Sequence, residues 1–187
     1  MILERKIRQI RNVYDDYPRQ FWVLMGATFV NRLGGALLFP FFPLYLTRRF
    51  DIGMTDVGIL FALWAGTSFL GSVVGGALTD KLGRKGVLIL SLVASGLGSL
   101  AMGLAGSMMM FAIIAMASGL LEEAGGPANN AMVADLLPPE KRAEGFGILR
   151  VGFNLAVVIG PAVGGLLAAR SYMLLFALDA AASAQSI

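Results

Sequence analysis

Gly76-Ala77-Leu78-Thr79-Asp80-Lys81-Leu82-Gly83-Arg84-Lys85 is the stretch whose reading decides the fold. Four of these ten residues are charged, in a chain that is only 14% charged. Long apolar runs lie on both sides. A chain that crosses a bilayer must reverse direction between helices, and here it has only a few residues to do so. Gly83 supplies the conformational freedom that a tight turn needs. The Lys/Arg cluster marks the side that stays in the cytoplasm. Asp80 is a carboxylate at the end of a helix and needs a partner.

Composition agrees with a membrane protein. The chain has 187 residues, of which 57% are hydrophobic, and a mean hydropathy of +0.74. Soluble proteins average about 45–50% apolar and about 25% charged. With no Cys there are no disulfides and no thiolate metal sites. With no His the commonest general base and metal ligand is missing. An intramembrane serine protease with a Ser-His dyad is therefore excluded, and there is no Gly-x-x-x-x-Gly-Lys phosphate loop to use ATP. No cofactor and no metal site are expected. The net charge of +3 does not point to nucleic acid, because the basic residues sit at expected membrane edges. The first twenty residues are charged, so no cleavable signal peptide is expected.

A hydrocarbon core of about 30 Å needs roughly 20 apolar helical residues. Six segments fit: 20–47, 57–79, 86–106, 108–133, 144–169 and 171–187. Pro40 and Pro43 are expected to kink the first near its outer end. The sixth has about seventeen residues, includes Asp179 and Gln185, and looks cut short. Ten Lys/Arg fall in the N-terminal tail and the second–third and fourth–fifth connections, against three in the opposite loops. The N-terminus is therefore expected in the cytoplasm, in a multi-pass protein of the cell (inner) membrane. Residues 1–19 form a basic tail. Leu3, Ile7, Ile10, Tyr14 and Tyr17 recur there at helical spacing, which fits an interfacial amphipathic helix on anionic lipid. A basic tail that only sets topology fits as well.

An internal repeat divides residues 20–187. Gly71-Ser72-Val73-Val74-Gly75-Gly76-Ala77-Leu78 aligns without gaps to Gly160-Pro161-Ala162-Val163-Gly164-Gly165-Leu166-Leu167. This pairs the second segment with the fifth, as two inverted three-helix units would. Small residues also recur every fourth position: Thr67, Gly71, Gly75 and Thr79; Ser91, Ser95, Ser99 and Gly103; Gly152, Ala156, Gly160, Gly164 and Ala168. In lipid such stripes let helix backbones approach closely.

The loop pattern G-x-x-x-D-K-x-G-R-K resembles the second–third loop of major facilitator superfamily transporters. Gly160-Pro161-x-x-Gly164-Gly165, with Gly152 two turns earlier, resembles the antiporter motif of that superfamily's fifth helix. Leu33-Gly34 with Pro40 and Pro43 resembles the first helix of its twelve-span drug:proton antiporters. Pro127-Ala128-Asn129-Asn130-Ala131 through Asp135, Pro138, Glu140 and Arg142 resembles the end of the fourth helix and its loop. The resemblance implies an all-α fold: six transmembrane helices forming the N-terminal half of a transporter. It further implies proton-coupled export of small or drug-like molecules by alternating access. By that resemblance, Gly76, Asp80, Gly83, Arg84, Lys85, Asp135 and Arg142 form a cytoplasmic gate. The second- and fifth-helix stripes face an absent partner, either the missing C-terminal half or a second copy of the chain. Two departures stand out. Ala115 occupies the place of a fourth-helix Arg linked to proton relay, and Ala156 replaces a motif Gly. The family's proton assignment therefore does not carry over.

Charges inside the bilayer cost at least about 2.5–3.5 kcal/mol, so they face a cavity or a partner. Arg32 lies roughly 18 Å into the first segment and Glu122 roughly 16 Å into the fourth, at about 1.5 Å per residue. Arg32 is expected to pair with Glu122 or Glu123 across a central cavity, as either a proton-carrying site or a structural lock. Asn31, Asn129, Asn154 and Asp179 are further candidates for a cavity that takes a small-molecule substrate and protons. A sugar or metabolite transporter, or a six-span protein that dimerises or serves as a scaffold, are the alternatives.

Overall fold

The computed structural model describes residue 14 and residues 16–186. The tail residues Leu3, Ile7 and Ile10, and most of segment 1–19, lie outside the described residues. Every regular element among the described residues is a helix. Span I is Arg19–Leu38, a 3-10 turn Phe39–Phe41, and Phe42–Phe50. Span II is Met54–Leu82 and span III is Arg84–Gly103. Span IV is Met108–Glu123 followed by Gly125–Leu136. Span V is Pro139–Ala168. These five are long and apolar enough to cross a membrane. The sixth helix, Tyr172–Gln185, is apolar but has only 14 residues; we call it span VI.

Local chemistry sets the ends. Pro40 and Pro43 lack the N–H that a continuous helix needs, and span I tightens into its 3-10 turn there. Ser107 caps span IV by accepting a hydrogen bond from the Met110 N–H at 3.2 Å. Spans II and III are joined by Gly83 alone, at φ 79° and ψ 154°, a conformation open essentially only to glycine. The turn is tighter than the sequence implies, because both helices continue into it.

Other boundaries are corrected. Span IV is interrupted at Ala124. Pro127 has no N–H to offer the Glu123 carbonyl, and Gly125 and Gly126 hold the helix weakly. Span V begins at Pro139, five residues before expectation, and runs through Pro161 without interruption.

Packing pairs span I with V, II with IV, III with VI, III with IV, and I with VI. Glycines make the closest approaches. A Cβ at Gly75 would stand 2.5 Å from the Ala124 Cα, and one at Gly160 2.5 Å from the Ala36 Cβ. Gly71 meets the Leu120 backbone and Gly164 the Leu37 backbone. The expectation that Gly160, Gly164 and the span II stripe face an absent partner is therefore corrected: their close neighbours are spans I and IV of the same chain. Gly152 and Gly165 also lie against span I, near Phe29 and Phe41. What spans II and V leave exposed is large and apolar, including Phe69, Val73, Val158 and Leu166.

Candidate functional site

Two cavities open along the bundle, and they meet at its middle. The first, about 350 Å³, is walled by aromatic rings: Phe39, Phe42, Phe61, Trp64 and Phe111. The 3-10 turn aims Phe39 at Phe61 and Trp64, with ring centroids 5.6 and 5.7 Å apart. The second, about 810 Å³, is lined by polar residues toward the basic end, among them Arg19, Gln20, Lys85 and Asn129. Asn31, Arg32, Glu122 and Glu123 line both. A shallower groove of about 470 Å³ adds Asn129, Asn130, Arg150 and Asn154, and Arg32 lines this one too. Asp179 lies in the wall of the aromatic cavity.

The break in span IV falls directly after Glu122 and Glu123. Arg32 is exposed to the cavity and lies over the Phe153 ring of span V, 5.8 Å from its centroid. No ion pair within 4 Å joins it to Glu122 or Glu123 among the described residues. The expected pair is thus replaced by a cation–π contact, with the carboxylates sharing the same cavity. Asn31 donates to the Ser183 hydroxyl at 3.1 Å, and Ser183 donates to Ser95 at 3.2 Å. Thr28 donates to the Asn129 carboxamide oxygen at 3.2 Å. Ser95, Ser183 and Thr28 are site residues that the sequence reading missed. Ser95 was visible in the fourfold stripe, but as packing only.

At the basic end, Arg84 pairs with Asp135 and also donates to the Ala131 carbonyl. Thus the II–III connection is tied to the end of span IV. Arg142 donates instead to the Leu137 carbonyl at 3.2 Å. Asp80 is exposed and takes part in no ion pair among the described residues. Gly76 faces open space. Of the five charged residues expected in the gate, only Arg84 and Asp135 form an ion pair among the described residues, because Arg142 is held by the Leu137 carbonyl and Asp80 and Lys85 lie within 4 Å of no opposite charge there. A second tie joins span V to the entry of span I. Lys141 donates to the Asp16 carbonyl at 3.0 Å, lies 3.4 Å from its carboxylate, and sits over the Tyr17 ring at 5.4 Å. The Tyr17 hydroxyl is buried without a hydrogen-bond partner. Burial, reinforced by the nearby Glu144 carboxylate, pushes its pKa up to about 12.

The model of the Major Facilitator Superfamily matches residues 24–186. The chain belongs to the Major Facilitator Superfamily. The superfamily consists of transporters rather than enzymes. The quinolone resistance protein NorA of Staphylococcus aureus is 28% identical over 160 residues, covering 84% of this chain and 40% of NorA. The MFS-type transporter YqjV of Bacillus subtilis is 26% identical over 150 residues, covering 80% of this chain and 36% of that protein. The chain thus spans about 40% of the length of the curated relatives it matches. A POT family transporter in complex with a thioalcohol-conjugated peptide superposes with a TM-score of 0.81 at 20% identity. That match covers 90% of this chain and 37% of the other. The human organic anion transporter MFSD10 (TETRAN) gives a TM-score of 0.68 at 21% identity, covering 90% and 47%. These structures share the fold.

Proposed function

We propose that the chain is the N-terminal half of a secondary active exporter of small, drug-like molecules. It is driven by protons and works by alternating access in the cell membrane, with its N-terminus in the cytoplasm. The observation that carries this reading is the shared waist of Asn31, Arg32, Glu122 and Glu123, which borders an aromatic cavity on one side and a polar one on the other. Apolar walls with a few convergent polar groups are the usual form of a small-molecule site. A carboxylate in such a place suits proton carriage, because low dielectric disfavours the charged form. The likeness to a quinolone resistance protein favours export of drug-like compounds.

The packing supports two inverted repeats. Exchanging spans I–III with IV–VI turns the I–V contact into IV–II and the I–VI contact into IV–III, while III–VI maps onto itself. Gly71 and Gly75 then do for spans II and IV what Gly160 and Gly164 do for V and I. In this reading the Arg84–Asp135 pair, with Asp80, Gly76, Gly83, Lys85 and Arg142 around it, forms the inner gate. The remaining cavity wall comes from the rest of the protein or from a second copy.

The test is transport by the full-length protein in proteoliposomes under an imposed pH gradient. Export of a fluorescent quinolone that stops when a protonophore collapses the gradient supports the reading. Movement of a sugar or metabolite instead, or of nothing, refutes it.

A further inference from the structure

Trp64 of span II is a half-buried wall of the aromatic cavity. Behind it stands Gly119 of span IV, which is buried and does not line the cavity. A Cβ at Gly119 would stand 2.6 Å from both the Cδ1 and the Nε1 of Trp64, and 2.8 Å from the Ser68 Oγ. Ordinary carbon contacts are about 3.5–4.0 Å. The indole edge therefore occupies the space that a side chain at position 119 would take, and the bare glycine lets Trp64 lie back against span IV.

This contact differs from the others along the II–IV crossing. At Gly71 and Gly75 the obstacle to a Cβ is the backbone of Leu120 and Ala124, so there the helices would have to part. At Gly119 the obstacle is two side chains, and a side chain yields before a helix does. Phe39 and Phe61 flank the indole, with centroids 5.7 and 6.1 Å from it. Both are cavity walls, so a ring pushed off span IV moves toward the space they enclose. Phe111, another wall, is buried and held edge-on by Phe42 at 5.8 Å, which leaves it no room to retreat. Volume is the scarce quantity here. Small-molecule pockets span about 300–1,000 Å³, and this cavity of about 350 Å³ lies near the lower end.

We propose that Gly119 sets the size specificity of the aromatic cavity through Trp64. With glycine at 119 the cavity admits flat, fused-ring aromatic ligands; with a side chain there it is restricted to single rings. Gly119 touches no ligand and is a positioning residue, whereas Trp64 is the group that the ligand meets. The inference rests on the small-molecule reading above and deepens it by naming the shape of compound the cavity takes.

Calorimetric titration of the full-length protein in detergent tests it with two probes of equal charge. Ethidium has three fused rings, and benzyltrimethylammonium has one ring. The wild type should bind both. Gly119→Ala should weaken ethidium by about tenfold, as overpacking of 1–3 kcal/mol implies, and leave benzyltrimethylammonium little changed. In a Trp64→Ala background the same substitution should no longer alter the ratio of the two affinities. Equal weakening of both probes would mean that Gly119 serves II–IV packing alone, and would overturn the proposal. So would an altered ratio that persists without the indole. Trp64→Ala by itself crowds nothing and should shift the preference toward ethidium; an unchanged ratio overturns the proposal even if Gly119→Ala does not fold. A wild type that binds neither probe refutes the small-molecule reading and this inference with it. A wild type that binds both, with a ratio that no variant moves, refutes this inference alone.

Discussion

Gly75 and Gly76 are adjacent in span II, yet substituting alanine at each should have opposite consequences. A Cβ at Gly75 would stand 2.5 Å from both the Cα and the carbonyl oxygen of Ala124, and 2.9 Å from its carbonyl carbon. Ordinary carbon contacts are about 3.5–4.0 Å, so spans II and IV must separate by about 1.0–1.5 Å. The obstacle is backbone, which has no rotamer to yield. Overpacking of this size costs about 1–3 kcal/mol. A Cβ at Gly76 meets nothing within 4 Å. Both positions are helical and gain the same preference of alanine over glycine, about 0.8–1.0 kcal/mol, which cancels when the two variants are compared. Gly75→Ala should therefore be less stable than Gly76→Ala by about 1–3 kcal/mol. Reversible denaturant unfolding of each variant in detergent micelles measures the difference. Equal stabilities, or a less stable Gly76→Ala, would refute the close II–IV crossing.

Gly83→Ala should cost about 1–3 kcal/mol, because φ 79° at the II–III turn strains any side chain; the same unfolding assay reads it. The Arg84–Asp135 pair is 41% and 56% exposed, so a double-mutant cycle with alanine at each should give a coupling of only about 0.2–1 kcal/mol. Tyr17 should not ionise until about pH 12, as followed by ultraviolet absorbance. Its folded pKa lies above the unfolded value of 10.0. The neutral phenol's contribution is therefore complete below pH 10 and lost as pH rises toward 12. Tyr17→Phe removes an unsatisfied hydroxyl and should leave stability equal or raised by up to about 1 kcal/mol.

Much of the architecture was legible because lipid imposes it. Apolar length gave the spans, and Gly83 between charges gave the reversal. What the sequence could not say was which partner a small-residue stripe meets. A row such as Gly152, Ala156, Gly160 and Gly164 announces close approach without naming the neighbour, and the neighbour is span I. The depths of Arg32 and Glu122 brought them to the same cavity. Depth does not fix where a long side chain points, though, and Phe153 of span V takes the guanidinium. The signal for the break in span IV was present in Gly125-Gly126-Pro127, next to two carboxylates. Ser95 read only as one member of a small-residue stripe, and Ser183 belongs to no such stripe. Their role as a hydrogen-bond ladder appears only when spans I, III and VI come together.

The measurement that bears most directly on the account is proton-driven efflux by the full-length protein carrying Glu122→Gln, compared with Glu123→Gln and wild type. Both variants should fold and insert. Glu122→Gln should abolish export driven by the pH gradient while exchange of substrate across an equilibrated membrane persists. If both variants export at the wild-type rate, the waist between the two cavities does not carry the coupling proton, and the central claim fails.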